Sequence, residues 1–307
     1  MRVMVTGGAG FIGSHIADKL IEDGFEVCVV DNLFSGRRQN INDKAGFIEM
    51  DVCSPNLSSV FRKEKPDYVV HQAAQINVRK SIDDPVFDAS VNILGSLNLL
   101  ECCRKSDVKK IVYASSGGAI YGEPQYLPAD EKHPINPLCP YGASKHAVEH
   151  YLHMYCVNYG LDYTALRYAN VYGPRQDPYG EAGVVAIFTK KLLSGKTPTI
   201  FGDGKQTRDF IYVGNVADAN AKALKKKTKE KAFNIGAGVE SSVNEVTSKL
   251  KKLLNSPVEP VHGPEVKGEV RRIFLDVSLA KKELGWTPKT GLSMGLKKTV
   301  EYFKKNE

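Results

Sequence analysis

The chain has 307 residues, 42% hydrophobic and 25% charged, which excludes a disordered, collagen-like or low-complexity protein. At one domain per roughly 100–200 residues it is long enough for two lobes. The net charge of +7 is unevenly spread: residues 1–150 hold 16 Lys/Arg against 19 Asp/Glu, and residues 151–307 hold 26 against 16. A basic second half suits nucleic acid, an anionic membrane or a small anionic ligand.

The six cysteines include no C-x-x-C pair, and Cys102 and Cys103 are adjacent, so neither a zinc site nor a disulfide framework is indicated. The sequence starts directly on a strand pattern. It shows no signal peptide and no apolar run of the ~20 residues that span a bilayer, so a cytoplasmic protein is expected.

In chain order, residues 2–6, 26–31, 47–50, 68–71, 111–114 and 163–167 read as strands. Helical patterns at 11–23, 84–104 and 144–158 lie between several of them. Continuously apolar strands alternating with helices predict an α/β fold, a Rossmann-type doubly wound parallel sheet. Three prolines in residues 134–140 mark a loop. Beyond residue 172 the pattern is less regular. It gives a Gly/Pro-rich loop over 173–183, helices over 186–194, 218–227, 243–254 and 278–284, and a last helix starting near Ser293. Short strands are expected at 199–201, 210–213 and 232–235. The expected division is a dinucleotide-binding domain of residues 1–171 with about 214–237, and a smaller mixed lobe of about 172–213 and 238–307. The lysine cluster at 225–231 sits at a helix end, where solvated cations suit the helix dipole.

Gly7-Gly8-Ala9-Gly10-Phe11-Ile12-Gly13 joins the first strand to the first helix. Gly7 allows the tight turn, Gly10 lets backbone approach a pyrophosphate, and Gly13 lets the helix pack closely. The N–H groups of the helix start, at Phe11 and Ile12, then face the phosphates. Asp31 ends the second strand 18 residues past Gly13. A carboxylate there accepts from both adenosine ribose hydroxyls and repels a 2′-phosphate, which favours NAD over NADP. Arg37 and Arg38 are the nearby cations that could serve a phosphate instead. Asn32, Leu33, Phe34, Ser35 and Gly36 follow Asp31 and are candidates for the same pocket.

Tyr141 and Lys145 are four residues apart, one turn on one face of a helix. With free pKa values of about 10 and 10.4, neither is a base near neutral pH. A lysine ammonium and a positively charged nicotinamide ring would together stabilise the phenolate.

The G-x-x-G-x-x-G spacing combined with Tyr141-Gly-Ala-Ser-Lys145 resembles the extended short-chain dehydrogenase/reductase family, and the resemblance runs along nearly the whole chain. It implies that Asp51 and Val52 bind adenine, that His71, Gln72, Ala73, Ala74 and Gln75 line the cofactor after the fourth strand, and that Asn92 is the family's structural asparagine. Ala114 begins the segment 114–122, which supplies the catalytic hydroxyl. Segments 167–174, 202–212, 268–271 and 284–288 look most like the UDP-hexose 4-epimerase branch.

That resemblance implies a Tyr141 phenolate taking the C4 hydroxyl proton while hydride passes to NAD. A 4-keto sugar then turns in the site and is reduced on its other face. The family places its hydroxyl four residues before the tyrosine of a Val-Tyr-Gly-like motif, and four before Tyr121 is Gly117. One inserted glycine restores Ser116 to the role, with Ser115 as the alternative. Gly117 and Gly118 occupy the places of the dehydratase Asp-Glu pair, and the glutamate usual in UDP-glucuronate decarboxylases is also missing.

For the UDP-sugar substrate the resemblance implies Arg208 and Asn170 on the diphosphate, Thr199 and Phe201 at the uracil, and Val184 beside Gly183, where an asparagine is usual. Val266 stands where the family has an arginine, leaving Lys267 or Arg271 to supply that charge. Ile273 lies near the position that tunes tolerance of a 2-acetamido group, so Glc/Gal against GlcNAc/GalNAc stays open. A homodimer through the helix 84–104 and the helix after Tyr141 is implied, with no metal and no membrane contact. The alternatives are a different nucleotide-sugar enzyme, such as a UDP-glucuronate epimerase or a dehydratase, and an NAD-binding sensor without activity. No helix-turn-helix, zinc or RNA-recognition signature supports a nucleic-acid partner.

Overall fold

Runs such as Val3-Met4-Val5 and Val27-Cys28-Val29-Val30 carry no polar residue to leave in water, so their strands must be covered on both faces. In the computed structural model, which describes residues 1–179, 183–265 and 270–306, they are central strands of one sheet.

The elements run β1 (Arg2–Thr6), α1 (Phe11–Glu22), β2 (Glu26–Asp31), β3 (Gly46–Glu49), α2 (Leu57–Glu64), β4 (Tyr68–His71), α3 (Val78–Asp83), α4 (Pro85–Ala89), α5 (Gly95–Lys105), β5 (Lys110–Ser116), α6 (Pro140–Tyr159) and β6 (Asp162–Tyr168). There follow β7 (Asn170–Tyr172), α7 (Val184–Leu193), β8 (Thr199–Phe201), β9 (Thr207–Arg208), β10 (Phe210–Tyr212), α8 (Val213–Lys225) and β11 (Ala232–Ile235). The described chain ends with β12 (Ser241–Ser242), α9 (Val243–Leu254), β13 (Val261–Gly263) and α10 (Leu292–Lys305).

Seven strands pair in the order β11-β6-β5-β4-β1-β2-β3, all parallel. The order reverses between β1 and β4, so their C-terminal ends open a crevice, the usual ligand position in such a sheet. The two-residue alternation divides the core: Val3, Val5, Val29, Val70, Val112 and Leu166 pack on one face, and Met4, Val30, Val69, Ile111, Tyr113 and Ala165 on the other. A third core, with Tyr172, Phe188, Ile200, Phe210, Val246 and Leu296, holds α7, α9 and α10 together beyond β6.

Three expectations change. Helix α8 starts at Val213, five residues before residue 218, because buried Asn215 fixes the start through tertiary bonds. Its side chain accepts from Lys289 and Thr290 N–H and donates to the Thr290 carbonyl. The helix expected over 84–104 is interrupted at Ser90–Leu94, where Gly95 N–H reaches back five residues to Ser90. Finally, Pro85–Lys105 is long and apolar enough to cross a membrane, contrary to the reading that no segment is. Here it lies along α6, with Asp88, Asn92 and Ser96 buried in its inner side.

Candidate active site

The Gly-rich turn is tight because its atoms leave no room for side chains. Gly7 has φ +69°, and a Cβ there would lie 2.6 Å from Ala73 N; one on Gly13 would lie 2.1 Å from the Gly7 carbonyl. Gly10 is different: a Cβ would meet only that carbonyl, at 3.1 Å. It also caps α1 without any side-chain bond, leaving the helix-start N–H groups at Phe11 and Ile12 for a ligand.

Asp31 is buried, accepting Ala9 N–H at 3.0 Å and Leu33 N–H at 2.8 Å. A carboxylate has about four lone-pair positions, so two remain for a ribose diol. Gly36 packs so close that a Cβ would lie 2.6 Å from the Asp31 carboxylate. Arg37 and Arg38 are committed to Asp177 (3.2 Å) and Glu49 (2.7 Å). Asp51 accepts Cys53 N–H and the Asn32 amide, both at 2.7 Å, which ties the ends of β2 and β3 together. Val52 is buried beneath it, whereas Phe34 and Ser35 lie on the outer rim of the loop. These features fit NAD: an uncapped helix start for the pyrophosphate and a carboxylate with free lone pairs for the ribose.

His71 ends β4 with its side chain turned into the core. Its imidazole is a core group, bonded to Thr6 Oγ1 at 2.7 Å and Ser96 Oγ at 3.0 Å, and burial holds its pKa down to about 3. Beyond β4, Asn92 donates to the Gln75 carbonyl and accepts Gln75 N–H, both at 2.9 Å, so it fixes the 72–75 segment. Gln72 is turned toward Tyr168 Oη at 3.1 Å. Ala73 crosses the Gly7 turn, and Ala74 continues the segment toward Gln75.

At the end of β5, Ser116 hydrogen-bonds the Tyr141 phenol across the crevice. Ser115, next to it, points the other way and donates to Glu149 at 2.5 Å. The structure therefore brings Ser116, not Ser115, to Tyr141. Lys145 is buried and donates to the Ala114 carbonyl at 2.9 Å, with its ammonium 5.8 Å from the Tyr141 ring centre. Burial pushes Tyr141 up to about 12, against the lowering by the Ser116 bond. Burial also brings Lys145 down to about 8, against the pull of Asp88. The chain alone thus keeps the phenol protonated at neutral pH, and a further positive charge must enter to change that.

Across the crevice, β7 pairs with β10, and Asn170 is exposed at its start. Asn170 N–H donates to the Asp209 carbonyl at 2.9 Å. Arg208, half-buried on β9, donates to the Thr207 carbonyl at 2.8 Å. Beside it the buried Asp209 carboxylate accepts Ala237, Gly238 and Leu275 N–H at 2.6–3.3 Å, which ties the junction of β9 and β10 to the turn after β11 and to Leu275. Thr199 and the 44% exposed Phe201 lie on β8, and Val184 opens α7. Arg271 makes a bidentate pair with Asp203 at 2.9 and 2.8 Å. Ile273 is 3% exposed and belongs to the packed interior. Val266 and Lys267 lie outside the described residues.

Residues 3–236 match the model of the NAD dependent epimerase/dehydratase family. The chain belongs to this family. A putative UDP-glucose 4-epimerase of Methanocaldococcus jannaschii is 52% identical over 304 residues, 99% of each chain. A crystal structure of UDP-glucose 4-epimerase with UDP-glucose from Thermotoga maritima is 51% identical, covers 100% of this chain and 99% of its own, and superposes with a TM-score of 0.97. The Thermus thermophilus UDP-glucose 4-epimerase complex with NAD is 46% identical over 99% of each chain, with a TM-score of 0.93.

Within this epimerase/dehydratase frame the two glycines after Ser116 differ. A Cβ on Gly117 would lie 2.6 Å from Leu275 Cδ1, so no acid fits without moving that side chain, whereas Gly118 is exposed with nothing nearer than 3.8 Å. Sequence reasoning missed Asp88 and Glu149. Asp88 gathers Gln75, Asn92 and Ser144 within 2.7–3.0 Å and sends a field to Lys145. One acid in a helical pattern gives no sign of that. Glu149 did leave a signal: it lies one further turn beyond Lys145 on the same face.

Proposed function

We propose that this protein interconverts UDP-glucose and UDP-galactose by inverting C4 of the hexose through a transient 4-keto sugar, with NAD as cofactor. The observation that carries this reading is the set Ser116, Tyr141 and Lys145 at the end of β5, with glycines where an additional acid–base pair would stand. Gly7, Gly10, Gly13, Asp31 and the 72–75 backbone would hold the cofactor. Bound NAD supplies a reversible hydride acceptor and a positive charge. Tyr141 keeps and returns the proton of the C4 hydroxyl, and Ser116 relays it. Lys145, fixed by the Ala114 carbonyl, adds positive potential near the phenol and would hold the nicotinamide ribose.

Arg208 and Asn170 would take the diphosphate, a guanidinium fork suiting its oxygens, with Thr199 and Phe201 against the base and Val184 at the start of α7. Arg271 can join them by leaving Asp203. We assign residues 1–171 and about 214–237 to NAD, and 172–213 with 238–307 to the UDP-sugar. Six unpaired thiols fit a reducing cytoplasm. Exposed Val86, Leu94, Met154 and Val157 on α4–α6 support a homodimer.

Purified protein supplied with UDP-galactose should yield UDP-glucose, separated chromatographically. Absence of UDP-glucose, with turnover of a UDP-uronate or a dTDP-sugar instead, sinks the reading.

A further inference from the structure

We propose that Ser115 and Glu149 are positioning residues: together they set the Ser116 hydroxyl against the Tyr141 phenol. The inference rests on the reading of Ser116, Tyr141 and Lys145 as the reacting set.

Alternation along β5 sends Ile111 and Tyr113 into the core beneath α6, and Val112 and Ala114 into the opposite one. Ser115 continues the first series and Ser116 the second, so the two hydroxyls diverge from one strand end. Ser115 is buried and donates to Glu149 Oε1 at 2.5 Å. Glu149 lies on α6 at the third step of a stripe with Tyr141 and Lys145, one turn between each. One carboxylate therefore ties the strand end that carries Ser116 to the helix that carries Tyr141.

That carboxylate is itself held. Arg167, paired with Ser115 in the β5–β6 register, gives it Nε at 3.0 Å and Nη2 at 2.6 Å. The remaining Arg167 nitrogen donates to Tyr121 Oη at 3.1 Å, and that hydroxyl donates to Asn234 of β11 at 2.7 Å. Glu149 and Arg167 are both buried. Arg167 holds both carboxylate oxygens, so Glu149 is kept in one orientation with Oε1 toward Ser115. Of the other titratable groups, His146 faces Glu149 at 3.6 Å; Asp88, Cys139, Lys145, Tyr113 of β5 and Tyr168 of β6 lie around Tyr141, and Tyr113 also faces Glu149. Lys145 also joins α6 to β5, through the Ala114 carbonyl, but only Ser115 and Glu149 join them at the residue next to Ser116.

The test uses the NAD-bound protein and two substitutions. Ser115→Ala removes the link and leaves the ion pair intact; Ser115→Thr restores a hydroxyl. Two quantities are read: kcat against KM for UDP-galactose, and the phenolate titration by ultraviolet difference, with Tyr141→Phe as blank. Since misplacement by about 1 Å can cost 10²-fold, a partial loosening in Ser115→Ala should lower kcat about tenfold. KM should stay within about twofold, the phenolate should titrate about one pH unit higher, and Ser115→Thr should recover most of both. A Ser115→Ala protein with parental kcat and parental phenolate titration overturns the proposal. So does one in which kcat, KM and melting temperature all deteriorate together. Should the parent protein fail to turn over UDP-galactose, the functional reading falls, and the phenolate titration still decides this inference.

Discussion

Two adjacent serines on β5 show how far single residues could be read. Counting along the sequence left Ser115 and Ser116 as alternatives, because an extra glycine shifts the family spacing by one. Strand alternation and the position of Glu149 separate them: Ser115 is tied to α6 and Ser116 meets Tyr141. Tyr141 and Lys145 were legible because a four-residue interval has one geometric meaning on a helix. The burial that lifts Tyr141 to about 12 was not, since it depends on packing from distant segments. Tyr141→Phe keeps the ring and removes the proton carrier, so kcat should fall by roughly 10²–10⁴, the usual worth of a positioned acid–base group. NAD released per chain on denaturation should not change, because the Gly-rich turn and Asp31 are untouched. A variant retaining more than about a tenth of parental turnover removes Tyr141 from the reaction.

The helical stretch from Pro85 to Lys105 explains itself at the next scale up. Its inner side carries Asp88, Asn92 and Ser96, bonded to Gln75, Ser144 and His71, so it ties the cofactor segment to α6. The five-residue turn at Ser90–Leu94 accommodates that work by widening the helix where Asn92 must reach back to Gln75. Periodicity foresaw the helix and could not foresee the widened turn, which local propensity does not encode. Its apolar character comes from a second apolar side: Val86 is 75% and Leu94 60% exposed, beside Val157 of α6 at 68%. A second copy of the chain covering that face would account for them. Leu94→Glu would then bury a charge without a partner, a cost of several kcal/mol per copy. Sedimentation should show the parent at twice the chain mass and Leu94→Glu shifted toward the monomer at micromolar concentration. A parent that sediments as a monomer defeats the dimer assignment.

Over the whole molecule, the uneven charge reads differently once it is placed. The first half, with 16 Lys/Arg against 19 Asp/Glu, contains the Gly-rich turn and its uncapped helix start, a kind of site that suits phosphates without cations. In the second half several cations pair locally with carboxylates, Arg271 with Asp203, Arg272 with Glu240 and Lys251 with Glu259, so the excess of positive charge is not by itself a measure of an anionic ligand. Net charge therefore said little about stability, and buried titratable groups say more. Burial lowers His71 to about 3 and His15 to about 4, His15 despite its bond to the Pro174 carbonyl. Both are neutral in the fold and take up protons near 6.5 when unfolded, so their stabilisation is complete above that pH and is lost as pH falls toward 4 and 3. Each contributes a slope of about 1.4 kcal/mol per pH unit in that window. Asp209 works in the opposite sense: burial raises it to about 6, so the fold binds its proton more readily than the unfolded chain between about 3.8 and 6. Between pH 6 and 4 the two histidines outweigh Asp209, and Glu101 and Glu149, both lowered to about 2, add to the loss while Glu131, raised by burial, offsets part of it, so stability falls as acid is added. Urea midpoints at pH 6 and pH 4.5 should differ accordingly. His15→Gln keeps a donor for Pro174 without titrating, and it should make the difference between the two midpoints smaller. An unchanged slope in His15→Gln would show that His15 is not held neutral by its place between α1 and the segment after β7.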